Sequence, residues 1–238
     1  GKDPVAVFTP TDKTYAGPVQ PVTVQAKDKN GTAVTTTYTP NITPVKPTAK
    51  GTTSEGAQGQ EQSGTPTFTE GHEKAPIDPT VPAKLIDPET GEPTDEKSVT
   101  VPGEGTYTVA PDGTVTFTPN KDFTGQATGV TVKREDKNGT PVTAKYTPVV
   151  LPVTPTGKDV TSIGEKGQPQ SETPVFTAGT TKVNGKTVTV PIDETVAPTF
   201  EDGSTTKEVP GEGTYTIDKD GKVTFTPEPN FVGTATPV

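Results

Sequence analysis

Apolar and polar residues alternate along this chain over short stretches, and each stretch breaks at Gly, Pro, Asn or Asp. In Gly113-Thr114-Val115-Thr116-Phe117-Thr118-Pro119, Val115 and Phe117 face one way and the threonines the other, which is the period-2 signature of a strand. Thr106-Tyr107-Thr108-Val109 alternates in the same way, and Ala110-Pro111-Asp112-Gly113 between the two stretches reads as a turn. The pair predicts a hairpin, repeated around Asp220-Gly221. A second hairpin is predicted about Asn138-Gly139, with Val130-Thr131-Val132 before it and Val142-Thr143-Ala144-Lys145-Tyr146 after it. Asn-Gly favours a tight hairpin because both residues tolerate positive φ. No segment carries a helical period of useful length. Many short strands separated by turns predict an all-β chain of small β-sandwich modules.

The pattern repeats. Val101-Pro102-Gly103-Glu104-Gly105-Thr106-Tyr107-Thr108 returns unchanged as Val209-Pro210-Gly211-Glu212-Gly213-Thr214-Tyr215-Thr216, 108 residues on. The same offset carries Asp28-Lys29-Asn30-Gly31 onto Asp136-Lys137-Asn138-Gly139, Tyr38 onto Tyr146, and Phe68 onto Phe176. It also pairs Tyr107 with Tyr215, Phe117 with Phe225, and Phe123 with Phe231. With a one-residue adjustment Phe8 matches Phe117 and Tyr15 matches Phe123, so among the 13 aromatics only Phe200 lacks a partner. A period about one domain long marks a tandem array. Pro40, Pro44 and Pro47 fall on Pro148, Pro152 and Pro155. These Pro/Thr-rich stretches read as extended, semi-rigid linkers. The expected modules are 1–45 (the C-terminal part of one repeat), 46–153 (a complete repeat) and 154–238 (the N-terminal part of a third). Residues 72–98 and 180–206 diverge most, which predicts a surface loop with one short strand.

Composition sharpens this reading. Leu, Ile, Val and Phe make up only 44 of 238 residues, beside 28 Pro and 25 Gly. That level raises the alternative of a disordered Pro/Thr-rich stalk. Against it, the chain has 50 threonines, a strand-forming residue, and its apolar residues alternate. The net charge of −9 argues against nucleic acid or an anionic membrane surface as partner. No run of 18 apolar residues is present to span a bilayer. Cysteine is absent, which removes disulfides, thiolate metal sites and thiol catalysis. The start at Gly1-Lys2-Asp3-Pro4, in mid-pattern, and the lack of Met are expected of a segment of a longer protein.

Chemistry that serves every repeat is expected to survive from copy to copy. Recurring aromatics on the apolar face are expected to be core and not a sugar-binding surface. The expected core residues are Phe68, Tyr107, Val115, Phe117, Phe123, Tyr146, Phe176, Tyr215, Phe225 and Phe231. Asp218-Lys219-Asp220-Gly221 has the look of a calcium loop, but its counterpart Ala110-Pro111-Asp112-Gly113 loses the first carboxylate, and Glu228 stands in the wrong context for a bidentate ligand. Glu104 and Glu212 recur as lone acids, and His72, the sole histidine, has Thr180 in its place. Neither a catalytic triad nor a histidine metal site is supported. Leu151-Pro152-Val153-Thr154-Pro155 nearly spells a sortase signal but ends in Pro and runs into another repeat, so it reads as a linker. Lys145, Asn138, Gln60 and Gln168 supply groups for isopeptide or ester crosslinks, yet no spacing singles them out. No enzymatic activity, cofactor or metal is expected.

The repeated segments resemble the CshA-type fibril repeats of streptococcal cell-wall-anchored fibrillar adhesins. The likeness is carried by Lys158-Asp159-Val160-Thr161-Ser162, Gly167-Gln168-Pro169-Gln170 and Thr173-Pro174-Val175-Phe176. It is carried further by Gly113-Thr114-Val115-Thr116-Phe117-Thr118-Pro119-Asn120-Lys121-Asp122-Phe123 and by the closing hairpin from Val130 to Thr140. Residues 72–98 and Lys50-Gly51-Thr52-Thr53 are the least typical stretches. The resemblance implies an extracellular, cell-wall-anchored location and an elongated array in which neighbouring repeats of the same chain are the first partners. It also implies a stalk that holds an adhesive region away from the wall. Contact with host or bacterial surface proteins is attributed in that family to a separate region. A rival expectation is that the repeats themselves bind such partners through the divergent loops. Finally, residues 1–45 contain the hairpin that 154–238 lacks, so the ends are expected to be less stable than the centre or to complement one another between molecules.

Overall fold

The computed structural model describes residues 5–238; Gly1–Pro4, read above as the start in mid-pattern, lie outside the described residues. Every regular element described is a strand. The chain divides into two compact units, 1–151 and 152–238, two residues before the joint expected after Val153.

In unit 1, the first segment holds β1 (Gly17–Pro18), β2 (Val22–Lys27), β3 (Ala33–Tyr38) and β4 (Asn41–Ile42). The next repeat opens with β5 (Thr48–Lys50), β6 (Thr52–Ala57), β7 (Gln62–Gly64) and β8 (Thr67–Thr69), followed by β9 (Lys84–Ile86) and β10 (Ser98–Val101). It continues with β11 (Gly105–Val109), β12 (Val115–Pro119), β13 (Gly125–Gln126), β14 (Val130–Glu135) and β15 (Pro141–Leu151). One sheet runs β10-β11-β12-β7, and the other runs β13-β15-β14-β9 with β6 also paired to β15. The inward residues of both sheets meet in one core. Tyr107, Val109, Val115 and Phe117 come from the first sheet, and Leu85, Val130, Val132, Tyr146 and Val150 from the second. Tyr107 stacks on Phe117 with ring centres 4.5 Å apart and meets Tyr146 edge-on at 6.3 Å. Aromatic pairs favour these two arrangements because ring edges and faces carry opposite partial charge. Both copies of the expected hairpins pair as antiparallel strands.

Unit 2 holds β16 (Thr156–Lys158), β17 (Gln170–Glu172), β18 (Val175–Thr177), β19 (Gly179–Val183) and β20 (Lys186–Val190). They are followed by β21 (Thr206–Val209), β22 (Gly213–Ile217) and β23 (Val223–Pro227). The sheet β17-β23-β22-β21 copies β7-β12-β11-β10 in order and register. Among the described residues, unit 2 has no counterpart of β14 and β15 lying over that sheet.

Residues 72–98 hold the one short strand expected there: β9 joins the second sheet beside β14, and its Leu85 is fully buried. The matching stretch 180–206 builds something different, a hairpin of β19 and β20 across Asn184-Gly185. There both turn residues have positive φ, 48° and 79°. The Asn138-Gly139 turn does not take that form. Only Gly139 has positive φ, at 82°; its N–H donates to Asp136 O at 2.9 Å, while Asp136 N–H donates to Thr140 O at 3.1 Å. The result is a type I turn closed by a glycine bulge. Asp136 explains the choice: its Oδ1 accepts from the N–H groups of Asn138 and Thr140 at 2.9 and 2.8 Å, and locks the longer loop.

Candidate functional site

The residues that recur are the ones that hold the sheets together. Glu104, weighed above as a lone acid, accepts from Thr128 N–H at 2.8 Å and from Thr128 Oγ1 at 2.5 Å. Glu212 does the same with Thr236, at 2.6 and 2.8 Å. Each carboxylate thus uses both oxygens to clasp the β10–β11 or β21–β22 turn to a segment 24 residues further on. Bonds of this kind to a charged acceptor are stronger than neutral ones. The clasp occupies the carboxylate with a structural task.

A second recurring feature lies at the start of each repeat. Ser54 Oγ donates to Gln62 Oε1 at 2.5 Å, and Gln62 Nε2 donates to Val149 O at 3.1 Å. The Tyr146 hydroxyl lies 2.7 Å from Ser54 Oγ. In unit 2 the pair is repeated, with Ser162 Oγ 2.6 Å from Gln170 Oε1. Space for the amide comes from a glycine on the facing segment. A Cβ at Gly56 would lie 2.8 Å from Gln62 Nε2, and one at Gly164 would lie 3.1 Å from Gln170. Gln60 and Gln168, named above as possible crosslinking groups, are not members of this pair. The i, i+8 recurrence of Ser and Gln was the available signal.

The third feature is the carboxylate-locked turn. Asp28, Asp136 and Asp218 each accept, through Oδ1, from the N–H groups two and four residues on. The calcium-loop look of Asp218 is thereby explained as a turn. Arg134, itself buried, crosses between the sheets: its Nη1 donates to Asp112 O at 2.6 Å.

The expected core residues are placed as follows. Tyr107, Val115, Phe117 and Tyr146 are fully buried, and Phe68 and Phe123 pack half-buried against them. Phe225 is buried, Tyr215 and Phe231 are half-buried, and Phe231 meets Phe225 edge-on as Phe123 meets Phe117. Phe176 departs from the expectation and is 55% exposed. Its counterpart Phe68 is covered by the core to which β14 and β15 contribute, and unit 2 has no such strands among its described residues. Phe200, without a counterpart in sequence, is buried in unit 2.

Burial raises the pKa of Tyr107, Tyr146 and Tyr215 above the ordinary phenol value. The Tyr107 hydroxyl accepts from Gly129 N–H at 3.2 Å, which offsets part of that rise. Hydrogen bonds from Ser204 hold Asp202 down at about 2. Among the described residues no group of three or more His, Cys, Asp or Glu is placed to hold a metal ion. His72 bridges to Ala75 and its Nδ1 accepts from Lys74 N–H at 3.1 Å, a local turn.

Residues 2–42, 44–150 and 152–238 each match the model of the surface adhesin CshA repetitive domain. The chain belongs to the CshA repeat family. Repeat domain 13 of the fibrillar adhesin CshA from Streptococcus gordonii, solved by NMR, is similar at 56% identity over 32% of this chain and 90% of that domain, with a TM-score of 0.17. A tetra-tandem repeat from the extending region of a large adhesion protein is 20% identical over 89% of this chain and 48% of that one, with a TM-score of 0.22. The N-terminal eight Ig domains of Down syndrome cell adhesion molecule are 11% identical over 87% of this chain and 30% of that one, with a TM-score of 0.32. No curated protein sequence matches the chain. The clasps, the Ser–Gln pairs and the carboxylate-locked turns are therefore features shared by CshA repeats within one chain.

Proposed function

We propose that these CshA repeats are structural spacers of a fibrillar adhesin at the bacterial surface, joined by short Pro/Thr-rich linkers and holding an adhesive region away from the cell wall. One observation carries the reading: what recurs at 108 residues is a set of sheet-closing bonds, with Glu104–Thr128 reproduced as Glu212–Thr236. Each of these contacts joins a strand turn to a segment 24 residues further on and so fixes the fold. The second Pro/Thr-rich joint is shorter than the sequence implies, since residues 148–151 belong to β15; Pro40, Pro44 and Pro47, and Pro152 and Pro155 after β15, limit bending where repeats join. The role is geometric and not enzymatic. Net charge of −9 keeps neighbouring stalks apart.

Small-angle scattering on chains of one, two and three repeats tests this: the maximum dimension grows by a constant increment per repeat. The same chains immobilised on a surface retain neither cells nor host matrix. A dimension that fails to grow with repeat number, or retention that scales with it, replaces the spacer with a binding array acting through the divergent loops.

A further inference from the structure

The chain contains six Asn-Gly or Asp-Gly steps, at 30–31, 112–113, 138–139, 184–185, 202–203 and 220–221. In such a step the glycine nitrogen can attack the side-chain carbonyl of the residue before it, because glycine carries no Cβ to obstruct the approach. Five of the six are closed against this: the N–H groups of Gly31, Gly113, Gly139, Gly203 and Gly221 donate to the carbonyls of Asp28, Ala110, Asp136, Phe200 and Asp218, at 2.9–3.0 Å. At Asn30 and Asn138 the asparagine's own N–H is held as well, by the carboxylates of Asp28 and Asp136, at 2.8 and 2.9 Å.

Asn184-Gly185 is built differently. Val183 pairs with Lys186, so this step is the whole of a two-residue turn. Asn184 is the only non-glycine among the described residues with positive φ. The closing bonds of such a turn lie on the flanking pair and leave the central N–H outside the ladder. Among the described residues the Gly185 N–H donates to no acceptor, and a Cβ at Gly185 would meet nothing within 4 Å. Asn184 and Gly185 are both exposed. β19 and β20 form a two-stranded sheet of their own, so the form of the turn rests on these two strands.

We infer that Asn184 is a site of self-modification, which deamidates in the folded protein ahead of the two locked Asn-Gly steps. The Gly185 nitrogen loses its proton to solvent base and bonds to Asn184 Cγ. The Cγ–Nδ2 bond breaks, and Nδ2 takes a proton from solvent and leaves as ammonia. The resulting succinimide takes up one water at either carbonyl, which yields aspartate or isoaspartate. Either product adds one negative charge to the tip of a hairpin in a chain of net charge −9. Isoaspartate also lengthens the backbone inside a turn that has no slack between Val183 and Lys186. At Asn30 and Asn138 the attacking N–H must first leave its carbonyl. One hydrogen bond of ordinary net strength slows that step by about two- to tenfold, and the second bond, at the asparagine N–H, adds to this.

The folded 238-residue chain is held in mildly alkaline buffer, and timed samples are digested and mapped by mass spectrometry with isoaspartate detection. A parallel sample is kept unfolded in guanidinium chloride. In the folded chain the peptide with Asn184 is expected to deamidate at least about fivefold faster than those with Asn30 and Asn138. In the unfolded chain the three rates converge. Asn184→Gly, which suits positive φ and keeps the turn, removes most of the ammonia released by the folded chain. Folded-state rates at Asn30 or Asn138 that equal or exceed the rate at Asn184 overturn the inference. A lead of Asn184 that is undiminished in guanidinium chloride also overturns it, since the local sequence and not the turn would then set the rate.

Discussion

At the scale of single residues, burial separates side chains that look alike in sequence. Phe117 is fully buried and Phe176 is 55% exposed, although both were expected in the core. Phe117→Ala is expected to cost about 3–5 kcal/mol in urea unfolding of the central repeat. Phe176→Ala is expected to cost less than about 1 kcal/mol, because little of that ring leaves water. The tyrosines set the alkaline limit. Burial is the main cause that raises the folded pKa values of Tyr107 and Tyr146 above the ordinary phenol value. Their contribution to stability is thus fully present below pH 10 and is lost as pH rises toward the raised folded values. A spectrophotometric titration is expected to show these phenols ionising only as the repeat unfolds, and Tyr107→Phe with Tyr146→Phe is expected to flatten that alkaline loss. Alternation with a 108-residue echo was enough to find Phe117, Tyr107 and Tyr146 in the sequence. It was not enough for Phe176, because exposure there depends on which strands lie opposite. The Glu104 clasp was also hidden, since its partner Thr128 is 24 residues away and has no distinctive context.

At the scale of elements, the hairpins and the turn at Ala110–Gly113 were legible, but the form of the Asn138-Gly139 turn was not. Asn-Gly pointed correctly to a reversal at 138–139, but the buried Asp136 carboxylate selected the bulged loop over the two-residue turn. The two-residue form occurs at Asn184-Gly185, inside a stretch whose divergence from its copy drew attention away from its own alternation. One short strand was expected within 72–98, but its place was not legible: the three residues of β9, Lys84–Ile86, are too few to show a period, and only Leu85 faces the core. Gly105 shows the tightest constraint on an element. It has φ 154°, and a Cβ there would lie 2.3 Å from Thr118 O. Gly213 repeats this with φ 157° and Thr226 O at 2.4 Å. Gly105→Ala is expected to pry β11 from β12 and to destabilise by more than about 1 kcal/mol. The check is a lowered urea midpoint with loss of amide protection at Tyr107 and Phe117.

At the scale of the whole molecule, the chain is an array of near-copies, and the central one shows how its sheets are joined. Gly51 faces the backbone of β15, where a Cβ would lie 2.7 Å from Lys145 O, and β6 and β15 pair in parallel. That pairing has a mechanical consequence. Thr52 lies beside Tyr146 and Ala57 beside Leu151, so the two strands run the same way from opposite ends of the repeat. Tension applied where the chain enters β6 and leaves β15 pulls the pair lengthwise in shear. All its ladder bonds then carry load together. Pulling apart β11 and β12 at Gly105 and Pro119 would instead open one rung at a time. Single-molecule stretching is expected to show higher rupture force for the first geometry than for the second, since forced unfolding follows the unfolding rate and not the equilibrium stability. A repeat of modest core and abundant threonine would then resist flow along its axis far better than its thermal stability suggests.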